Sequence, residues 1–275
     1  MCTWLSVSPS GFFDWRNRPE SATAERRRLL GSKIRAKFRA SDETYGYRRI
    51  HALLVRDGVP CSPELVRSIM RELGLHPCQP RPRHVGLTEQ DDRQHDIPDL
   101  LARDFTADTP GTKFVGDITY IPTWEGWLYL ATVIDCHTKM VAGYAMDDNY
   151  RTPLISTALR NTRRQIPIAP DAIFHSDRGS NYTSREFAAT VADLGMRQSV
   201  GRTGICYDNA MAESFFAALK NERVHRTVYA TREHARRDIT RYIESWYNPT
   251  RIHSGLDYKS PLEVLKEWED RQRVA

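Results

Sequence analysis

The chain has 275 residues, of which 40% are hydrophobic and 27% charged. That is an ordinary balance for a globular protein, with material for one large domain or two modest ones. The most apolar stretch, "WLYLATVI" over residues 127–134, is far too short to cross a bilayer, and the opening "MCTWLSVSPSGFF" lacks the basic and apolar regions of a secretory signal. The five cysteines are scattered without a CxxC pair or a His/Cys cluster, which argues against a structural zinc and for a reducing, cytoplasmic setting with no membrane partner.

Net charge is only +5, yet it is unevenly spread. Residues 1–90 hold 16 Lys/Arg against 9 Asp/Glu, and the remainder holds 24 against 26. A basic front section joined to a slightly acidic body suggests a polyanion-binding module attached to one that bears carboxylates, or else "ERRRLLGSKIRAKFR" is simply a solvated helix face.

The first section reads as helices. Ser8-Pro9 forms an N-cap and first helical position ahead of "SGFFDWRNR". "SATAERRRLLGSKIRAKFRAS" sets Leu29, Leu30, Ile34 and Phe38 on one face amid basic residues. "YGYRRIHALLVRDG" ends at Gly58, and Ser62-Pro63 opens "SPELVRSIMRELGL", with Leu65, Ile69, Met70 and Leu73 as its apolar face. Two short helices joined by a brief turn, with Arg48, Arg49 and Arg67 turned outward, fit either a helix-turn-helix that grips DNA or an ordinary helical hairpin. The proline-rich, aperiodic "HPCQPRPRHVGLTEQDDRQHD" reads as a linker.

Strands follow. "TKFVGDITYIPT", "GWLYLATVIDCHT" and "KMVAGYAM" predict an antiparallel meander. Beyond it come a helix over 152–165, a strand over 172–175, a helix over 184–194 and a short strand over 196–200. The fold class expected is α/β, a mixed sheet with flanking helices, preceded by an all-α region.

Three acids stand out. Asp117 lies within "TKFVGDITYI", Asp177 follows the strand-like start of "DAIFHSDRGSNY", and Glu213 sits in the helical "YDNAMAESFFAALKNE". Taken alone, each reads as an ordinary strand-end or helix-surface acid. Brought to one point they would repel, and could not all stay ionised without a cation between them. A hard, oxygen-seeking ion such as Mg²⁺ suits that set, and two such ions about 4 Å apart clamp a phosphodiester for displacement. On the last helix, which starts near Asp208 after a glycine-containing loop from Gly201 to Gly204, Asn209, Glu213, Phe216 and Lys220 recur at helical spacing and share one face. Phe215, Phe216 and Leu219 anchor it. Arg178 offers a phosphate contact or an ion pair with its neighbour, and His175 shares a strand face with Asp177 or simply packs.

These segments, with "SWYNPTRIHSGLDYKSPLE", resemble the signature segments of second-frame (OrfB) transposases of bacterial insertion sequences, in the retroviral-integrase-like DDE superfamily. The similarity spans about residues 1–268, and "YGYRRIHALLVRDG…VRSIMRELGL" resembles the helix-turn-helix region of that family. The resemblance implies a DNA-binding region over 1–75, a linker over 76–104, an RNase H-like core over 105–230 and a C-terminal helical extension over 231–275. It implies Asp117, Asp177 and Glu213 as catalytic metal ligands, DNA-end contacts at Asn209 and Lys220, and two Mg²⁺ or Mn²⁺ ions. It further implies double-stranded DNA as partner, a homodimer or larger assembly, nucleoid association in a bacterial cytoplasm, and fusion to an upstream-frame product that this chain does not carry at its start. Phe114 and Gly116 depart from the expected Trp and Thr around the first acid, and Asp257 from an expected Gly. Two other outcomes remain open: an RNase H-like nuclease that cuts without joining, and a DNA-binding regulator with an inactive core.

Overall fold

The computed structural model describes residues 4–5, 7–78, 97–201 and 209–274. The chain forms two compact units, Met1–Cys78 and Gln79–Ala275.

The first unit is helical: α1 (Pro9–Asn17), α2 (Ala22–Ala40), α3 (Tyr47–Arg56) and α4 (Pro63–Glu72). Serine hydroxyls cap three of these helices, Ser8 accepting from the Gly11 N–H, Ser21 from Ala24 and Ser62 from Leu65. Gly58, at φ +71°, closes α3 as its N–H reaches the Val55 carbonyl and the Val59 N–H reaches Leu54. Leu30, Ile34 and Phe38 of α2 are buried with Ile50, Leu54, Val66, Ile69 and Met70. Leu29 is not part of that face. It is 51% exposed, because one residue is a 100° turn away from Leu30 on a helix. Likewise Val66, rather than Leu65, faces the core from α4.

The second unit is built on β1 (Lys113–Thr123), β2 (Gly126–Asp135), β3 (Val141–Asp147), β4 (Ile173–Ser176) and β5 (Arg197–Val200), in the sheet order β3-β2-β1-β4-β5. β1, β2 and β3 pair antiparallel, whereas β4 runs parallel to both β1 and β5. The expected meander and mixed sheet are therefore present. Successive β1 residues face opposite sides, so Phe114 enters one core and Val115 the other. On the Phe114 side lie α5 (Thr152–Asn161) and α6 (Arg185–Asp193), through Leu154, Leu159, Phe187 and Val191. On the Val115 side lie α7 (Ala210–Glu222) and α8 (Arg232–Arg241), through Phe215, Leu219, Ala235 and Ile239. The helix expected over 152–165 ends at Asn161 and tightens to a 3₁₀ turn at Thr162–Arg164. Residues 97–104 run against the sheet: the Leu100 N–H donates to Ser199 Oγ, and Leu101 is buried in the α7 core. α9 (Pro261–Val274) ends the chain's described part.

Candidate active site

Parallel pairing aligns Lys113, Phe114 and Val115 with Ile173, Phe174 and His175. Carried two residues further, that register sets Asp117 level with Asp177, just past the end of β4. Each carboxylate uses one oxygen locally. Asp117 Oδ1 accepts the Ile118 N–H at 2.7 Å, and Asp177 Oδ1 accepts the Gly179 N–H at 3.0 Å. α7 lays Ala212, Phe215 and Leu219 into the core over β1, which leaves Glu213 on its exposed side. The amide of Asn209, at the head of α7, donates to the Gly116 carbonyl at 3.1 Å and ties the helix to the residue before Asp117.

Burial raises the Asp117 carboxyl well above its usual range, and repulsion from Asp177 and then Glu213 adds to it, against the pull of the Ile118 N–H and Lys220. Asp177 is raised chiefly by burial, opposed by the Gly179 N–H and by His175. Tyr182 is raised by burial and by the field of both aspartates. Burial lowers the Lys220 ammonium, while Asp117 counteracts it. Asp117 thus feels Asp177, Glu213 and Lys220 at once. Oxygen donors in mutual repulsion are the donor set that a hard divalent cation satisfies. Among the described residues, however, no three His, Cys, Asp or Glu side chains stand as an assembled metal cage.

The other residues singled out by sequence separate into groups. His175 is buried, with Nδ1 2.8 Å from Ser199 Oγ and its ring edge-on to Phe105; it braces β4 against β5. Arg178 is neither free nor paired with Asp177 through its Nε, which donates to the Gly201 carbonyl at 2.7 Å. Lys220 places Nζ 4.8 Å from the centre of the Tyr120 ring. In the first unit, Arg48 and Arg67 both lie over the Tyr47 ring, at 5.5 and 5.6 Å, and Arg49 lies over Tyr45. Arginines from α3 and α4 therefore converge on one aromatic. α7 begins at Ala210; Asp208 and the loop residues up to it from 202 lie outside the described residues, as do 79–96 of the expected linker.

Gly116, one of the departures around the first acid, has a packing reason. A Cβ there would stand 2.3 Å from Phe174 Cζ, so the ring of the neighbouring strand occupies the space a Thr would need. Sequence reading also missed a buried cluster behind the site. Glu222, at the end of α7, accepts from Arg251 and from the Tyr242 hydroxyl, and Asn248 bonds both backbone groups of Val141. Their only sequence signal was the distinctive "SWYNPTRIH" run, whose partners lie far upstream.

A mixed sheet with acids at the split between its antiparallel and parallel halves is accompanied by family matches of the same kind. The Integrase core domain matches residues 107–206, a second Integrase core domain matches 194–261, and an HTH-like domain matches 24–84. The class defined is an integrase-type core behind a helix-turn-helix-like module. The chain is 35% identical over 249 residues to the transposase for insertion sequence element IS904 of Lactococcus lactis, covering 90% of this chain and 98% of that protein. It is 36% identical over 268 residues to transposase InsF for insertion sequence IS3A of Escherichia coli K12, covering 95% and 91%. The chain belongs to this family of insertion-sequence transposases. A solved HTLV-2 integrase catalytic core domain in complex with magnesium aligns at 13% identity with a TM-score of 0.45, over 57% of this chain and 98% of that one.

Proposed function

We propose that this protein cuts DNA at the ends of an insertion sequence and joins them to a target. The observation that carries the reading is the β1–β4 register that sets Asp117 level with Asp177, with Asn209 tying α7, the helix of Glu213 and Lys220, to the residue before Asp117. Asp117, Asp177 and Glu213 would hold Mg²⁺ or Mn²⁺, as two ions, and the metal would supply charge neutralisation at the scissile phosphodiester and a readied oxygen nucleophile. Lys220, beside the acids, meets a DNA phosphate, while Asn209, buried with its amide on the Gly116 carbonyl, holds α7 on β1 rather than making the DNA-end contact expected of it. Joining exchanges one phosphodiester for another, so it needs no external energy source. Residues 1–75, with Arg48, Arg49 and Arg67, grip the element ends through phosphates and some base edges. Residues 105–230 form the catalytic core, 231–275 extend it, and 76–104 link it to the front module. Arg178 reaches phosphate only through the guanidinium nitrogens that its Nε bond leaves over. Two ends must be joined together, so the working form is a homodimer or larger on double-stranded DNA in the bacterial cytoplasm, with an upstream-frame product as a further fusion partner.

The test is Asp177→Asn with labelled duplexes taken from the DNA flanking the gene and an unlabelled target. Metal-dependent cleavage and joining should vanish while duplex binding persists. Joining at the wild-type level by this variant would overturn the scheme. Cut but unjoined products from the wild-type chain would make it a nuclease, and no metal-dependent product at all would make it a regulator.

A further inference from the structure

The far half of the β1–β2 hairpin carries aromatic rings that the cores absorb only in part: Tyr129 packs on the Phe114-side core, and its neighbours reach outward. Tyr120 and Trp127 pack edge to face with centroids 4.7 Å apart, and Tyr129 and Tyr150 lie 5.1 Å apart. Tyr120 pairs with Tyr129 across the strands, and Trp127, two residues from Tyr129, shares its face. Trp124 at the turn is 79% exposed, Tyr150 57% and Trp127 48%. Among the described residues of the second unit, the exposed large apolar side chains are these three rings and Val228. Trp124, Trp127 and Tyr150 leave ring surface open to a stacking partner.

Its position says what. Pairing of β1 with β4 stops at Val115, so the strip flanks an edge of β1 that β4 leaves uncovered. Tyr120 lies three residues beyond Asp117, about 10 Å along the strand and, by alternation, on the other face of β1. Lys220 bridges the two, lying over the Tyr120 ring while its charge acts on Asp117. At the other end Arg232 Nε donates to the Trp127 carbonyl, and exposed Arg151 follows Tyr150. The acids nearby are engaged: Glu125 accepts the Arg232 N–H, and Asp148 is held low by Asn149 and by Arg232 and Arg236. Rings in series with ammonium and guanidinium groups at their margins match a single strand, whose bases stack on aromatics while its phosphates meet cations.

We propose that Tyr120, Trp127 and Trp124 form a stacking platform for unpaired nucleotides of a DNA end, leading the frayed strand round the uncovered edge of β1, past Lys220, toward Asp117. The proposal rests on the reading of this core as a DNA-processing site.

The experiment uses the full chain in metal-free buffer, so that no strand is cut. The probes are a short duplex with an unpaired 3′ overhang bearing 2-aminopurine, and the same duplex fully paired. Wild-type protein should quench the overhang fluorophore and leave the paired one bright. Trp124→Ala with Trp127→Leu should abolish the quench and weaken overhang binding about five- to a hundredfold, with paired-duplex affinity unchanged as the control for folding. Trp127→Phe should keep the quench. Quenching by the double variant at the wild-type level would overturn the platform. So would an unchanged quench accompanied by loss of an oligomer in light scattering, which would make the strip a contact between copies. If wild-type quenching holds but added metal produces no cleavage, the platform stands and the catalytic reading falls.

Discussion

Arg251 grips Glu222 with two nitrogens, Nε at 2.9 Å and Nη2 at 2.6 Å, and both side chains are buried. The Tyr242 hydroxyl donates to the same carboxylate at 2.8 Å, and the Tyr247 ring lies 5.7 Å from the guanidinium. Glu222 ends the helix that carries Glu213 and Lys220, so this pair fastens one end of α7 as Asn209 fastens the other. Arg251→Met strands a buried carboxylate and should destabilise the second unit by about 3–5 kcal/mol, read by denaturant unfolding. Adding Glu222→Gln should recover part of the loss. Arg251→Lys should be intermediate, because an ammonium lacks the planar fork.

Gly116 makes a second stability prediction. Gly116→Thr restores the residue expected beside the first acid, yet its Cβ would collide with the Phe174 ring. We expect a cost of about 1–3 kcal/mol, seen as a lowered Tm. Phe174→Leu in the same chain should relieve the collision. Equal Tm for Gly116→Thr and wild type would show that Phe174 swings aside freely.

The helix-turn-helix arginines should act through phosphate. Replacing Arg48 and Arg67 with Ala should weaken binding to all duplex sequences alike and make the dependence of log affinity on log salt shallower by about 2. Fluorescence anisotropy across a salt series reads both. An unchanged slope would place these arginines off the DNA.

Much of this architecture was legible because local rules reported on local structure. Ser8 and Ser62 each precede a proline and each caps a helix, Gly58 terminates α3, and the β-rich "TKFVGDITYIPT" is the first strand of the expected meander. The acids were found through their neighbours: Asp117 within a β-branched run, and Glu213 one turn below Phe216 and two below Lys220. What stayed hidden depends on contacts between distant segments. Nothing within "SWYNPTRIH" says that Arg251 meets Glu222, 29 residues upstream. Nothing near Arg178 says that its Nε closes on the Gly201 carbonyl. The exposure of Leu29 beside buried Leu30 is a rotation of one residue, finer than an amphipathic pattern resolves.

Asp238 supplies a pH signature. Burial would raise its carboxyl, but hydrogen bonds from Arg223 and the Tyr229 hydroxyl outweigh that and hold it below the usual range. A carboxyl whose folded pKa is depressed stabilises the fold above its unfolded value, about 3.9, and that contribution is lost as pH falls through the lower folded value. Unfolding free energy should therefore decline on acidification below about pH 4, and Asp238→Asn should flatten that part of the curve. A curve for the variant that overlays the wild type would assign acid sensitivity elsewhere.

The ladder between β1 and β4 has three rungs, from Lys113–Ile173 to Val115–His175, and the two aspartates sit just beyond its last one. Their separation is thus governed by those rungs and is indifferent to the long excursion of chain between them. Extra residues grafted into the exposed turn around Asp148 and Asn149 should leave the pair in place, whereas a one-residue slip of β4 would send Asp177 to the opposite side of the sheet. The fold can in this way absorb variable decoration between its two aspartates without moving them apart.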